Sequence, residues 1–168
     1  AAWNDPAELP RQVRLTRLNE TSRGSIFFRA AHLFQNPLGV ADSLRRQYRY
    51  RALLPKITGP FSEQPHAPKL QPPRRRQGGV LLRWQPAPTD LANPPAYYVI
   101  YRFRALDGPD FAHPKHIAHI SPIGTTGDSF EYLDREATPN TLYFYAVTAV
   151  NRYHVESPPS EMGIVRTR

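Results

Sequence analysis

Nineteen prolines are spread through 168 residues, together with nine glycines. Proline fixes φ, lacks a backbone donor and stops helices. A chain so interrupted folds into short elements joined by frequent turns. Beyond residue 68 the stretches between turns alternate in apolar and β-branched character. They read as strands near 68–74, Val80–Trp84, Tyr97–Arg104, Lys115–Ser121, Ser129–Leu133, Thr141–Asn151 and Gly163–Thr167. With 40% apolar and 21% charged residues, the chain has the composition of a globular protein, not a disordered one.

Seven short strands in about 100 residues predict a mainly β chain with an immunoglobulin-like sandwich at 68–168. Period two then assigns faces. Tyr143, Tyr145, Val147 and Ala149 share one side of their strand, and Tyr97, Val99, Tyr101 and Phe103 share one side of theirs. Both sets are assigned to the core. Tyr98, Ile100 and Phe144 are left on outer faces, where an apolar cluster marks a covered interaction surface. Residues 56–67 hold Gly, Pro and Ser without periodicity and read as a linker.

Residues 1–55 follow a different rule. Asp5-Pro6 opens a helix that runs to about Leu18, with Pro10 weakening its start. Ser25–Ala30 is a nearly continuous apolar run, the mark of a strand buried on both faces. Asn36–Gly39 is a turn. Val40, Leu44, Tyr48, Leu53 and Leu54 support a second helix, with Asp42 in its first turn. A lone buried strand needs ladder partners, either from the sandwich edge or from a sheet this chain does not contain.

The charge excludes little by its sign alone. The net charge is +8, from nineteen Arg and three Lys against fourteen acids. The basic residues are scattered, whereas a nucleic-acid binder gathers them on one face or tail. The one run, Arg74-Arg75-Arg76, reads as a solvated strand edge that blunts pairing. The chain has no cysteine, so it has neither a disulfide nor a thiolate site. It also lacks the roughly 20-residue apolar run of an integral membrane protein. No glycine-rich phosphate loop is present, and no cofactor is implied. His113, His116 and His119 invite a metal. In a strand, however, His116 would face away from the other two, and His113 and His119 would stand about 20 Å apart at ~3.3 Å per residue, so no metal site is assigned.

The second half resembles the fibronectin type III family. The likeness is carried by Trp84, Ala96-Tyr-Tyr-Val-Ile-Tyr-Arg102, Pro139-Asn-Thr-Leu-Tyr143, the following Phe144–Asn151 and the Ser157-Pro-Pro-Ser160 turn. The resemblance implies that Tyr143 is the tyrosine-corner residue, its hydroxyl bonded back to nearby backbone. Ala87–Pro95 and Ala105–Lys115 are insertions against that pattern.

The first 55 residues resemble the end of the barrel in glycosyl-hydrolase-like family 10 proteins. They do so at Glu8-Leu-Pro-Arg-Gln12, Gly24-Ser-Ile-Phe-Phe-Arg-Ala30, Asn36-Pro-Leu-Gly39, Asp42-Ser-Leu44 and Tyr50-Arg-Ala-Leu-Leu-Pro55. That resemblance implies a helix–strand–helix remnant of a (β/α) barrel, cut from a longer bacterial, exported enzyme. A whole barrel needs roughly 250 residues.

No catalytic residue is assigned. Asp5, Glu8 and Asp42 look like helix-start acids, and Asp107, Asp110, Asp128 and Asp134 like turn residues. Arg29, at the mouth end of the barrel strand, is the candidate substrate contact. The expected role is a non-catalytic accessory module whose partner is the rest of the barrel, with polysaccharide or cell-wall glycan as a further partner. The rival is an independent carbohydrate-binding or adhesion module, and the weakest alternative is a basic nucleic-acid binder.

Overall fold

A computed structural model describes residues 4–19, 21–22, 24–27, 29–57, 59, 63–87, 94–122 and 129–168. The chain forms two compact units, Ala1–Arg49 and Tyr50–Arg168.

The first unit holds helices α1 (Glu8–Leu18), α2 (Ala30–Gln35) and α3 (Val40–Gln47). Pro10 sits inside the first turn of α1, where its missing donor has no intrahelical partner to lose. Asp5 accepts from the Ala7 N–H at 2.8 Å, and Arg11 reaches both Glu8 and Asp5. Leu9 and Val13, one turn apart, pack with Val40 and Leu44 of α3 into a small core. Gln47 donates to the Pro10 carbonyl at 2.8 Å, tying α3 to α1.

Asn36 ends α2 in the left-handed conformation, with φ 48°. Its side chain then caps α3, accepting from the Ala41 N–H and donating to Asp42, both at 2.8 Å. That bond is the main cause of the lowered pKa of Asp42, with Arg45 and Arg46 adding to it against some desolvation.

Two local expectations fail here. Ser25–Ala30 is not a strand. Among the described residues 24–27 and 29 have no ladder partner, and Ala30 already begins α2; Phe28 lies outside the described residues. A barrel strand takes its bonds from neighbours on both edges, and the described residues supply neither. The last helix stops at Gln47, so Leu53 and Leu54 are not helical.

The second unit is a sandwich of β1 (Lys69–Leu70), β2 (Arg74–Arg76), β3 (Gly79–Gln85), β4 (Pro95–Arg104), β5 (Ile117–Pro122), β6 (Phe130–Asp134), β7 (Leu142–Asn151) and β8 (Gly163–Arg166). β6 takes one edge of β3, while β1 and β2 share the other. They are one edge strand broken at Pro72-Pro73, where the register against β3 slips by one residue. The two sheets therefore have three and four strands, the second in the order β5-β4-β7-β8, all antiparallel. This is the seven-strand sandwich expected of a fibronectin type III domain.

The register settles the faces. Tyr98 stands opposite Ala149 and Ile100 opposite Val147, and directly opposed residues share a face. Tyr98 and Ile100 therefore point between the sheets with Tyr143, Tyr145, Val147, Val80, Leu82 and Trp84, at 1% and 0% exposure. Their assignment to an outer surface is corrected. The Tyr97, Val99, Tyr101 and Phe103 side is the outer one, beside Phe144 and Val150. Both faces of β4 are buried, so alternation of polarity could not tell them apart.

Tyr143 forms the expected corner. Its hydroxyl oxygen accepts from the Thr138 N–H at 3.1 Å and lies 2.7 Å from the Thr138 hydroxyl. Ser157-Pro-Pro-Ser160 runs beside β7. The Ser157 and Ser160 hydroxyl oxygens accept from the Ala149 and Val147 N–H groups at 2.9 and 3.1 Å, while their own N–H groups donate to the carbonyls of the same two residues. The pair of prolines, with no donors, fits between the serines.

Candidate interaction surfaces

The outer face of the four-stranded sheet is roofed by this unit's own chain. Phe111, in the 105–115 insertion, meets Tyr101 and Phe103 edge-on, each at 5.0 Å between ring centres. Leu53 packs on the same cluster. The backbone around it is fastened at several points. Arg51 donates to the Ala118 carbonyl at 3.1 Å, the Ile57 N–H to the Tyr153 carbonyl at 2.8 Å, and Gln64 to the Glu156 carbonyl at 2.8 Å. Asn151, itself buried, donates to the Glu63 carbonyl at 3.0 Å. Residues 50–57 and 63–64 thus add a partial third layer to the sandwich.

Within that layer, Glu156 accepts from the Tyr101 and Thr148 hydroxyls, both at 2.7 Å. Burial first, and then the bond to Glu156, push the Tyr101 phenol far above its ordinary value. It stays protonated and acts as a donor that holds the segment after β7 to the sheet.

At one end of the inner face lies a charged network that the sequence reading missed. Asp134 is fully buried and accepts from Arg102 Nη1 at 2.8 and 2.7 Å, from the Tyr145 hydroxyl at 2.7 Å and from the Glu136 N–H at 3.0 Å. Burial, and then the charge of Asp134, drive the Tyr145 pKa strongly upward. The available signal was Arg102, the only cation between the aromatic residues of an otherwise apolar run. Asp134 is therefore a structural anion rather than a turn residue.

Several other acids are accounted for locally. Glu8 and Asp5 hold Arg11, Asp42 holds Asn36 and Arg45, and Asp110 accepts from the Ala112 and His113 N–H groups. Asp128 lies outside the described residues. His113 accepts from the Lys115 N–H, and Pro114–His116 forms a 3-10 turn rather than a strand. His116 lies against Phe103, while His119 stacks on Tyr132 at 4.3 Å.

Arg29 precedes α2 in the first unit. It lines an open cleft of about 450 Å³ with Leu9, Val13, Ile26, Phe27 and His32. Among the described residues lining this cleft there is no carboxylate. Ile26 is 93% exposed, and Phe34, on the next helix, is 87% exposed.

No family model matches the chain. Over 161 residues, 95% of its length, the chain is 34% identical to "Glycosyl hydrolase YngK" of Bacillus subtilis (strain 168), of which it spans 30%. The similarity therefore embraces both compact units. Among solved structures, a Fn3-like protein from Clostridium thermocellum is 25% identical, with a TM-score of 0.41, covering 63% of this chain and 96% of that one. The twitchin kinase region from C. elegans is 19% identical, with a TM-score of 0.48, covering 62% and 17%. The sandwich assignment stands on strand order and pairing. The chain is thus similar over nearly its whole length to part of a glycosyl hydrolase, its second unit has the strand order of a fibronectin type III sandwich, and no helix among the described residues is long and apolar enough to cross a membrane.

Proposed function

We propose that the chain is the non-catalytic accessory part of an exported glycoside-hydrolase-like protein. In this reading residues 1–55 close a (β/α) barrel, and the sandwich supports the glycan-processing domain. The observation that carries it is the apolar surface of the first unit. Its core is four buried residues with Leu33 beside them, yet Leu15, Leu18, Ile26 and Phe34 are all exposed. A unit this small cannot bury enough surface alone, and so many large apolar groups on it mark a face made to be covered. The apolar run Ser25–Ala30, whose described residues 25–27 and 29 lack a ladder here, supplies the strand. Arg29 at its end is the candidate substrate contact.

Hydrogen exchange tests this proposal, comparing the chain alone with the same residues in a protein that carries the barrel. Amides of 24–29 are expected to exchange fast in the chain alone and to be strongly protected in the longer protein. Equal exchange in both, or glycan hydrolysis by the chain alone, refutes the reading.

A further inference from the structure

One pole of the sandwich gathers four arginines that form no ion pair among the described residues. The β2–β3 turn, the residue after β6 and the residues after β8 meet there around an open cleft of about 640 Å³. Arg75, Arg76, Arg135 and Arg168 line it, with Gly78, Gly79 and Thr167. The pairings place them together: Arg76 faces Gly79, Val80 faces Asp134, and Leu142 faces Arg166.

Four arginines elsewhere are paired. Arg11, Arg45, Arg83 and Arg102 each hold a carboxylate. Among the described residues none of the four at the pole forms an ion pair, and no acidic side chain lines the cleft. Asp134 next door is fully used by Arg102 and Tyr145, and Glu136 lies 3.9 Å from Arg102. Like charges held in a concave site repel one another and focus a positive potential into it. A bound anion relieves both effects.

We propose that this cleft binds a linear glycan bearing oxyanions, carboxylate or phosphate. The guanidinium fork matches either group with two parallel bonds, which a lysine cluster would not. The four arginines come from three separate segments, an arrangement suited to successive charges along a chain rather than to one small ion. A single-stranded nucleic acid fits less well, because no aromatic side chain lines the cleft to stack a base. The choice of a glycan rests on the accessory-module reading above, whereas the anion preference rests on the cleft alone.

Affinity electrophoresis of the full chain tests the proposal, with alginate as the carboxylate polymer, phosphomannan as the phosphate polymer, dextran as the neutral control and duplex DNA as the competing polyanion. Two triple variants of equal charge are compared: Arg75→Gln/Arg76→Gln/Arg135→Gln at the cleft, and Arg14→Gln/Arg46→Gln/Arg152→Gln away from it. Matching thermal melts confirm that both fold. At roughly 50 mM salt the cleft variant is expected to lose at least about tenfold in affinity for whichever oxyanionic glycan binds, while the control triple stays within about twofold.

Retardation by alginate alone or by phosphomannan alone supports the proposal and names the oxyanion. Failure to bind either polymer overturns it, as do equal losses in the two variants, equal retardation by dextran, or tighter binding of DNA. The hydrogen-exchange result does not depend on this outcome, so a failure here leaves the accessory-module reading to its own test.

Discussion

Asp134→Ala is the most informative single change in the sandwich. The carboxylate is 0% exposed and collects four hydrogen bonds from three groups: Arg102, the Tyr145 hydroxyl and the Glu136 N–H. Removing it leaves a guanidinium that is only 21% exposed without its counter-ion, and a buried phenol without an acceptor. Breaking a buried pair on one side costs about 3–5 kcal/mol, because the surviving charge stays desolvated. With a urea m-value of about 2 kcal/mol per M, the midpoint falls by about 2 M at unchanged m. The double variant Asp134→Ala/Arg102→Met removes both charges and puts an apolar stem in the arginine's place. It should regain much of the loss, giving a coupling of about 2 kcal/mol in the cycle. A single-variant loss below about 1 kcal/mol, or strictly additive changes in the cycle, would refute the account of Asp134 as the anchor of this pole.

Three further expectations follow from neighbouring features. Tyr143→Phe removes the acceptor for the Thr138 N–H and should cost about 1–2 kcal/mol in denaturant melts, with local exchange at 138–141 rising first. Phe111→Ala opens the roof over Tyr101 and Phe103. Because Phe111 is half-buried, about 2 kcal/mol is expected, below the full core value, with faster exchange on the outer face of β4 and not at Trp84. Asp42 should titrate below its ordinary 3.8 by NMR, and Asn36→Ala should raise it. Because the folded value is depressed, its contribution to stability is present above 3.8 and is lost as pH falls through the folded value.

The strands were legible because turn residues bracket them so regularly. Each of the seven expected runs overlaps a strand, and the first differs only where Pro72-Pro73 breaks it. What period two could not settle was the orientation of β4. Tyr97 to Phe103 is aromatic or branched on both sides save for Arg102, so the pattern lacks a polar face to mark the outside. Arg102 itself held the answer. A long cation in line with Tyr98 and Ile100 can lie on the inner face only if an anion is buried there, and Asp134 is that anion. A pairwise reading, with β4 opposed to β7, brings Ile100 onto Val147 and resolves the ambiguity that a single strand cannot.

The same reasoning explains why the first unit was the harder half. A strand is stabilised by its neighbours, so an apolar run is evidence for a strand only together with the sheet that receives it. For Tyr97–Arg104 that sheet lies within the chain, and the run becomes β4. For Ser25–Ala30 it does not, and the same kind of run is left with Ile26 almost wholly in solvent while Ala30 enters a six-residue helix. The outer layer makes the complementary point. Residues 50–57, unremarkable by periodicity, are held by bonds from Arg51 and Ile57 and by Leu53 against a face that the sandwich would otherwise expose. The outer face of β4 is therefore covered from within its own unit, although Leu54, Leu106 and Ile164 of that unit stay exposed, while Ile26 and Phe34 of the first unit find no cover among the described residues. An apolar run beside a small core, with Ile26 and Phe34 left in solvent, is the physical ground on which the proposed covering partner of the first unit rests.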